Sequence, residues 1–405
     1  MNYTTQEVKQ FVEEEDVKFI RLAFADVFGK MKNVSIMPTE LDRAFSEGIA
    51  IDAWSIIGFD CFDRSDLFLH PDPDTLAILP WRPEHGRVIR MYCDITWPDG
   101  TPFECDSRTF LKGAIDAAAK KGYTFRFGTE QEFYLFRNDL EGESTDIPYD
   151  NAGYMDVGPE DRCANIRREI CITLEQMGIS PESSHHEEGP GQNEIDFRYC
   201  DALKSADDAM TFRGVVGAIA NRNGATAVFT PKPFKGKPGN GMHINFSVKK
   251  GNEDVDLEPV IAGILENIAE MTLILNPARE SYDRIGALKA PGYITWAREN
   301  RSALIRIPAA FGEYVRGELR SPDTCANPYL AFGMLIYAGL AGFEKGLKAP
   351  EPISTNLSTA GENITKNLKK LPMTLEDAVS VTENGSFVKE YLPAEILASY
   401  LDLNR

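Results

Sequence analysis

No uninterrupted apolar run approaches the roughly 18 residues that a helical membrane span requires, so no such span is expected. The apolar stretch from Tyr329 to Phe343 is shorter and reads as a buried helix. The opening MNYTTQEVKQFVEEEDVKF is charged and amphipathic and lacks the apolar centre of a signal peptide. Paired cysteines are missing too. The seven present (Cys61, Cys93, Cys105, Cys163, Cys171, Cys200 and Cys325) are odd in number, scattered and free of any CxxC spacing. They read as reduced thiols, and the chain as cytoplasmic. Positive charge is in deficit, with 43 Lys and Arg against 62 Asp and Glu and a net charge of −19. That balance argues against a nucleic-acid partner, which needs a positive field. It leaves phosphate chemistry open, because metals and a few arginines can neutralise a nucleotide locally.

What is present is ordinary globular material: 405 residues, 43% hydrophobic and 26% charged. That length suits one large domain or two ordinary ones and buries a core without staples. Thr5 is expected to cap a first helix, with Glu7 in its first turn. Strands are expected at Val17–Ala25 and Val34–Met37 around a turn at Asp26–Lys30, then a helix over Thr39–Glu47 and a short strand at Leu76–Leu79. The turn Trp97-Pro98-Asp99-Gly100 marks a domain boundary, giving domains 1–100 and 101–405. Beyond it, helices are expected at Arg108–Lys121, Asp161–Met177, Ser205–Asn223, Val260–Leu275 and Asn327–Leu347. Strands are expected at Phe125–Phe136, Asn193–Tyr199, Met242–Lys249 and Ala303–Pro308. The irregular mixture predicts an α+β domain on an antiparallel sheet, and no internal repeat is visible.

Four segments concentrate chemistry. In Gly128-Thr129-Glu130-Gln131-Glu132-Phe133, a strand would place Glu130 and Glu132 side by side on one face. Carboxylates that close repel unless a cation lies between them; alone, the pair fits a solvated strand face equally well. In His185-His186-Glu187-Glu188-Gly189-Pro190-Gly191-Gln192-Asn193-Glu194, acids flank a Gly-Pro-Gly turn that a hairpin would bring together. Oxygen ligands suit Mg2+ or Mn2+, and imidazole favours Mn2+; a polar surface turn is the alternative. The loop Gly236-Lys237-Pro238-Gly239-Asn240-Gly241 enters a strand carrying His243 and matches neither GxxxxGK[ST] nor GxGxxG, and a lone strand histidine is more often structural than a ligand. Last, Arg284, Arg301, Arg306, Arg316 and Arg320 crowd an otherwise acidic chain, with Glu318 two residues before Arg320. Such arginine forks grip carboxylates and phosphates, although surface ion pairs would give the same pattern.

In order and spacing, these segments resemble the glutamine synthetase family of type I. GTEQEF is similar to its GxExEF strand, HHEEGPGQNE to HHExxPGQxE, and PKPFKGKPGNGMH to PKPxxGxxGSGMH. ENRSALIRIP and RGELRSPDTCANPYLAF are similar to its NRSAxIRIP and RxExRxPDxxANPYLAF segments. The resemblance covers nearly the whole chain. It implies a small N-terminal β-grasp domain and a catalytic domain whose antiparallel sheet forms a bifunnel. It also implies two stacked hexameric rings, a homododecamer with sites between subunits. The implied activity joins the γ-carboxylate of glutamate to ammonia or an amine, using ATP and two or more Mg2+ or Mn2+ ions per site.

By position, Glu132, Glu187 and Glu194 resemble ligands of one metal, and Glu130, His243 and Glu318 those of a second. Glu182, Ser247, Arg306 and Arg316 resemble nucleotide contacts. Gly239, His243, Arg284 and Arg320 resemble substrate contacts, and Arg301 and Arg320 catalytic phosphoryl contacts. Asp52, in GIAIDAWSIIGF, resembles the aspartate that reaches a neighbouring site and helps deprotonate ammonium.

The departures cluster around the acceptor. The family's DGSS reads Asp52-Ala53-Trp54-Ser55, and Lys289 stands where its flap carries a glutamate. Pro238 replaces an asparagine, Asn245 a second histidine and Glu313 a lysine of the nucleotide site. Intact metal positions with an altered acceptor side point to an organic amine as acceptor. Ordinary glutamine synthesis is the alternative, and a structural or regulatory assembly is an alternative of another class. The segment Asn356-Leu357-Ser358 lacks the tyrosine that bacterial members adenylylate, so no such modification is expected. The chain ends at Arg405, short of the family's usual last helices, which is expected to alter contacts between rings.

Overall fold

A computed structural model describes residues 3–82, 84–310, 312 and 315–404. Glu313 lies outside the described residues. Helix α1 (Thr5–Glu14) opens with a reciprocal cap: Glu7 N donates to Thr4 Oγ1 at 3.2 Å, and Thr4 N donates to Glu7 Oε2 at 2.7 Å. The cap is therefore Thr4 rather than Thr5, because a glutamate can answer only the residue three places before it.

Six short strands follow, with helix α2 (Leu41–Ser46) between the second and third. They are β1 (Val17–Ala25), β2 (Met31–Ile36), β3 (Ile49–Asp52), β4 (Asp66–Pro71), β5 (Ala77–Ile78) and β6 (Arg87–Thr96). The sheet runs β2-β1-β6-β4-β3, with β5 beside β6. β1 and β6 are parallel, and the remaining pairs are antiparallel. The β1–β2 turn is tied by the Asp26 carboxylate, which accepts from Phe28 N at 3.1 Å and Lys30 N at 2.9 Å.

The larger unit begins with α3 (Ser107–Lys120), β7 (Tyr123–Asn138), β8 (Ser144–Pro148) and α4 (Ala164–Gln176). It continues through β9 (Pro181–His186), β10 (Gln192–Phe197), β11 (Cys200–Asp201), α5 (Ala202–Arg222), β12 (Ala225–Val228), β13 (Met242–Lys250) and β14 (Glu253–Asp254). Next are α6 (Glu258–Leu275), α7 (Ser281–Arg284), β15 (Trp296–Arg298), β16 (Ile305–Ile307), β17 (Gly317–Leu319) and α8 (Pro328–Glu344). It closes with α9 (Glu362–Thr365), α10 (Leu375–Asn384), α11 (Phe387–Tyr391) and α12 (Ala394–Leu401). Its sheet has the order β15-β16-β17-β13-β7-β10-β9 and is antiparallel except for the parallel pair β15/β16. The chain is therefore α+β, as the sequence predicts.

β7 sets the site because its two faces differ. Phe125, Phe127, Thr129, Gln131, Phe133 and Leu135 are buried. Phe127 stacks on Phe332 of α8 at 4.5 Å, while Glu130 and Glu132, of opposite parity, are only partly covered. Apolar residues of one parity thus fix the strand on the helical layer, leaving the other parity for chemistry. α8, read from sequence as a buried helix, is buried along nearly its whole length and packs on α6.

A buried guanidinium helps tie the first sheet to the helices of the larger unit. Arg108 of α3 pairs with Asp72, just after β4, at 2.8 Å, with Asp94 of β6 at 2.7 Å, and with Asp207 of α5 at 3.0 Å. Tyr329 of α8 donates to Asp207 at 2.6 Å. Among the described residues no helix is long and apolar enough to cross a membrane.

Candidate functional site

Strand register carries the expected residues onto one face. Across the sheet, His185 of β9 lies opposite Glu194 of β10, which lies opposite Glu132 of β7. In the next row, Asp196 lies opposite Glu130, which lies opposite His243 of β13. In a third, Asn245 of β13 lies opposite Glu318 of β17, which lies opposite Arg306 of β16. Each row steps by two residues along its strands, so all these side chains share a face.

The donor atoms converge. Glu130, His243 and Glu318 place ligand atoms within 4.8 Å of one another, as do Glu132, Glu194 and His243. His185, Glu187 and Glu194 form a third group, and Glu130, Glu194 and Asp196 a fourth. Glu194 therefore joins Glu132 on one side to Glu187 on the other, with His185 as intermediary: its Nε2 is 3.0 Å from Glu187 Oε1 and 3.9 Å from Glu194 Oε1.

Electrostatics test whether cations fit there. Burial raises the Glu194 carboxyl well above its usual range, and the charges of Glu132, Asp196, Glu130 and Glu187 raise it further. Burial and then Glu130 push Asp196 up to about 6. Burial also pushes Glu130 upward, but the His243 and Asn245 hydrogen bonds outweigh it and hold that carboxyl down at about 2. Asp196 Oδ1 is buried without a hydrogen bond, whereas Glu318 Oε2 meets only the Arg306 guanidinium, as a charge pair. Too many carboxylates for the available protons and donors is the condition a divalent cation relieves, and the oxygen-rich set with one or two imidazoles suits Mg2+ or Mn2+.

The cationic side adjoins. Glu318, fully buried, lies 2.5 Å from Arg320 and 2.6 Å from Arg306 Nε. Only the Arg320 contact has hydrogen-bond geometry; the Arg306 contact is a charge pair. Arg284 is buried behind the glycine loop and donates to Ser321 O at 2.7 Å and Arg320 O at 3.3 Å. A Cβ at Gly239 would lie 2.3 Å from Pro231 O and 3.0 Å from Arg284 Cγ, and one at Gly241 would lie 2.5 Å from an Arg284 nitrogen. The glycines thus let the loop lie directly on this arginine. Tyr134 holds the loop by donating to Pro238 O at 2.8 Å, and Gly241 N donates to Glu132 at 2.6 Å. Arg316 Nε donates to Asn245 Oδ1 at 3.0 Å, bringing that arginine beside the cluster.

Other expected residues lie farther out. Ser247 continues the β13 face opposite Arg126, and Glu182 is exposed on β9. Arg301 is exposed and lines a cavity of about 540 Å3 with Lys289, Arg298, Asn356 and Ser358. Asp52 ends β3 in the other sheet, accepting from Trp54 N at 3.0 Å and Ser55 Oγ at 2.8 Å. Among the described residues no hydrogen bond or ion pair links Asp52 to the carboxylates. Sequence reasoning left out Asp196, although the alternation Gln192, Glu194, Asp196 contains it, and the bridging amide of Asn245. Lys289 Nζ lies 2.5 Å from Glu188 Oε1, next to Glu187.

Comparison with known proteins places this geometry. A family model described as "Glutamine synthetase, catalytic domain" matches residues 104–405, and one described as "Glutamine synthetase, beta-Grasp domain" matches residues 16–98. Glutamine synthetase of Clostridium saccharobutylicum is 42% identical, covering 98% of this chain and 94% of that one. The Methanosarcina mazei protein of the same name is also 42% identical, with coverage of 98% and 92%. A solved structure described as "GmaS/ADP complex-Conformation 1" superposes with a TM-score of 0.89 at 27% identity, covering 99% of this chain and 94% of that one. The chain therefore belongs to the glutamine synthetase family and is an ATP-dependent ligase that forms carbon–nitrogen bonds.

Proposed function

We propose that the chain joins the γ-carboxylate of L-glutamate to an organic amine through γ-glutamyl phosphate, with ATP as phosphoryl donor. The observation that carries the choice of acceptor is Lys289. A cation in the flap, paired to Glu188, stands where the resembling enzymes have an anion to attract ammonium. The exposed Trp54 supports the same reading, since it offers apolar contact that ammonium cannot use. Ordinary glutamine synthesis is the second reading, favoured by the name shared by relatives at 42% identity.

In this proposal Glu132, Glu187 and Glu194 hold one divalent ion, and Glu130, His243 and Glu318 a second, Mg2+ or Mn2+. When bound, such ions offset the repulsion between a carboxylate and a nucleotide polyphosphate. The chain's own residues do the rest. Arg284, lying under Gly239, grips the substrate carboxylate, and Arg320 orients the γ-carboxylate toward the transferring phosphoryl group. Arg306, Arg316, Ser247 and Glu182 hold the nucleotide, and Arg301 steadies the charge that spreads over the phosphoryl oxygens. A γ-carboxylate oxygen bonds to phosphorus as ADP leaves. The amine nitrogen then bonds to the acyl carbon as phosphate leaves, and its proton passes to a carboxylate, Asp52 of a neighbouring copy. The chain divides near residue 100 and assembles as a dodecamer with sites between subunits. ATP-dependent phosphate release with glutamate, Mg2+ or Mn2+, and either ammonium or a panel of amines tests this, with mass spectrometry of the product. Turnover with organic amines supports it; efficient turnover with ammonium alone establishes the second reading.

A further inference from the structure

The flap turn around residues 286–291 folds a lysine back onto the site. It springs from Arg284, with Ala287 N donating to Arg284 O at 3.0 Å, and Leu288 adopts φ 54°. Besides the 2.5 Å contact with Glu188, the Lys289 ammonium lies 5.4 Å from the centre of the Tyr154 ring. That ring stands edge-on to His185, with centroids 5.4 Å apart and planes at 86°. His185 in turn touches Glu187 at 3.0 Å. One carboxylate and one aromatic face make a corner suited to an ammonium group, and this corner adjoins the carboxylate cluster. The chain fills it with its own cation. Its rim is apolar: Tyr154, Met155 and Leu288 are 45%, 58% and 54% exposed.

We propose that Lys289 is a built-in competitor of the acceptor, a gate whose ammonium group occupies the Tyr154–Glu188 corner and must be displaced before an amine can bind there. This rests on the ligase reading above. A tethered lysine competes at a local concentration on the order of millimolar. Ammonium brings only charge to that competition. A primary alkylamine brings the same charge and also covers the rim, gaining about fourfold in affinity for each methylene it buries. The gate raises the affinity that every acceptor cation needs by the same factor, so alkyl or arylalkyl primary amines, with their added rim contact, occupy the corner at concentrations where ammonium does not. Because the Lys289 side chain is 63% exposed, its hold is weak enough to be displaced in every turnover.

The test uses the full chain with ATP, glutamate and Mn2+. Hydroxamate formation from hydroxylamine, a small acceptor uncharged near neutral pH, reports γ-glutamyl phosphate without calling on the cation corner. kcat and KM are then measured for ammonium and for n-butylamine in the wild type, Lys289→Ala and Lys289→Arg. The expected result is a fall of about fivefold or more in KM for both acceptors in Lys289→Ala with kcat retained, and KM values close to wild type in Lys289→Arg, which keeps the cation. A KM unchanged for both acceptors in Lys289→Ala overturns the gate. So does an equal loss of kcat/KM for both, which is what a merely structural flap residue would give. Absence of hydroxamate in the wild type overturns the ligase reading itself, and the gate with it.

Discussion

Asn245 shows how much one side chain can organise. Its amide donates to Glu130 Oε1 at 2.9 Å and accepts from Arg316 Nε at 3.0 Å. It thereby joins a proposed metal ligand to a proposed nucleotide contact, a task that needs a donor and an acceptor on one short side chain. Asn245→Leu removes both bonds at a buried position. Supporting hydrogen bonds of this kind are worth about 10- to 100-fold in metal affinity. Titration calorimetry with Mn2+ should show a loss of that order, with a higher KM for ATP, and Asn245→His should lose less. Undiminished Mn2+ binding in the leucine variant would mean that Glu130 needs no orienting partner. At this scale the sequence was most legible where chemistry follows the two-residue period of a strand. Glu130 with Glu132, and Glu318 with Arg320, are placed by alternation alone. The role of His185 was not legible, because its neighbours Glu187 and Glu194 are set by the pairing of β9 with β10.

Among the elements, α6 and α8 cross at a distance that only glycine permits. A Cβ on Gly263 would sit 2.0 Å from Ala338 O, and one on Gly342 would sit 1.9 Å from Pro259 O. Both obstacles are backbone, so Gly263→Ala forces the helices apart. A cost of about 2–3 kcal/mol is expected in urea unfolding, and a change under about 0.5 kcal/mol would show that the crossing relaxes freely. The cap of α3 carries a pH signature. Asp106 accepts from Arg108 N at 3.1 Å and from Thr109 Oγ1 at 2.7 Å. Burial, partly offset by the Thr109 bond, pushes its carboxyl from an ordinary 3.8 up to about 6. Between those values the folded chain keeps a proton that the unfolded chain releases, so this stabilising contribution is lost as pH rises through about 6. Asp106→Asn cannot titrate. The wild type's advantage over it should therefore grow by about 1 kcal/mol from pH 7 to pH 5. A gap that does not vary with pH would mean that Asp106 ionises in the ordinary range. Long elements of one period, such as β7, α5 and α6, were legible within a few residues of their ends. β3, β4 and β6 were not. Arg90 and Asp94 interrupt the apolar pattern of β6: Arg90 lies over the Tyr92 ring of the same strand at 4.0 Å, and Asp94 is matched from α3 by Arg108. The Asp94 pairing is tertiary and leaves no local mark.

For the whole molecule, the question is how Asp52 reaches a site. It belongs to the first sheet, and the Arg108 network fixes that sheet to its own catalytic unit. Two large apolar residues just beyond it, Trp54 and Ile57, are 56% and 62% exposed. A rigidly mounted loop with a carboxylate and uncovered apolar side chains is suited to meeting another copy. If the loop completes a neighbour's site, chains defective at opposite ends of that site must rescue each other. Asp52→Ala lacks the proposed base, and Arg301→Ala lacks the exposed proposed phosphoryl contact. Each alone should be nearly inactive. Co-expressed in equal amounts, they give four equally frequent neighbour pairs around a ring, of which one has both residues intact. Activity should return to about a quarter of wild type. Light scattering of the same sample should give a mass many times that of one chain. If the two variants stay inactive together while still assembling, Asp52 serves a site in its own chain, and the exposed Trp54 and Ile57 have to be covered by some other contact.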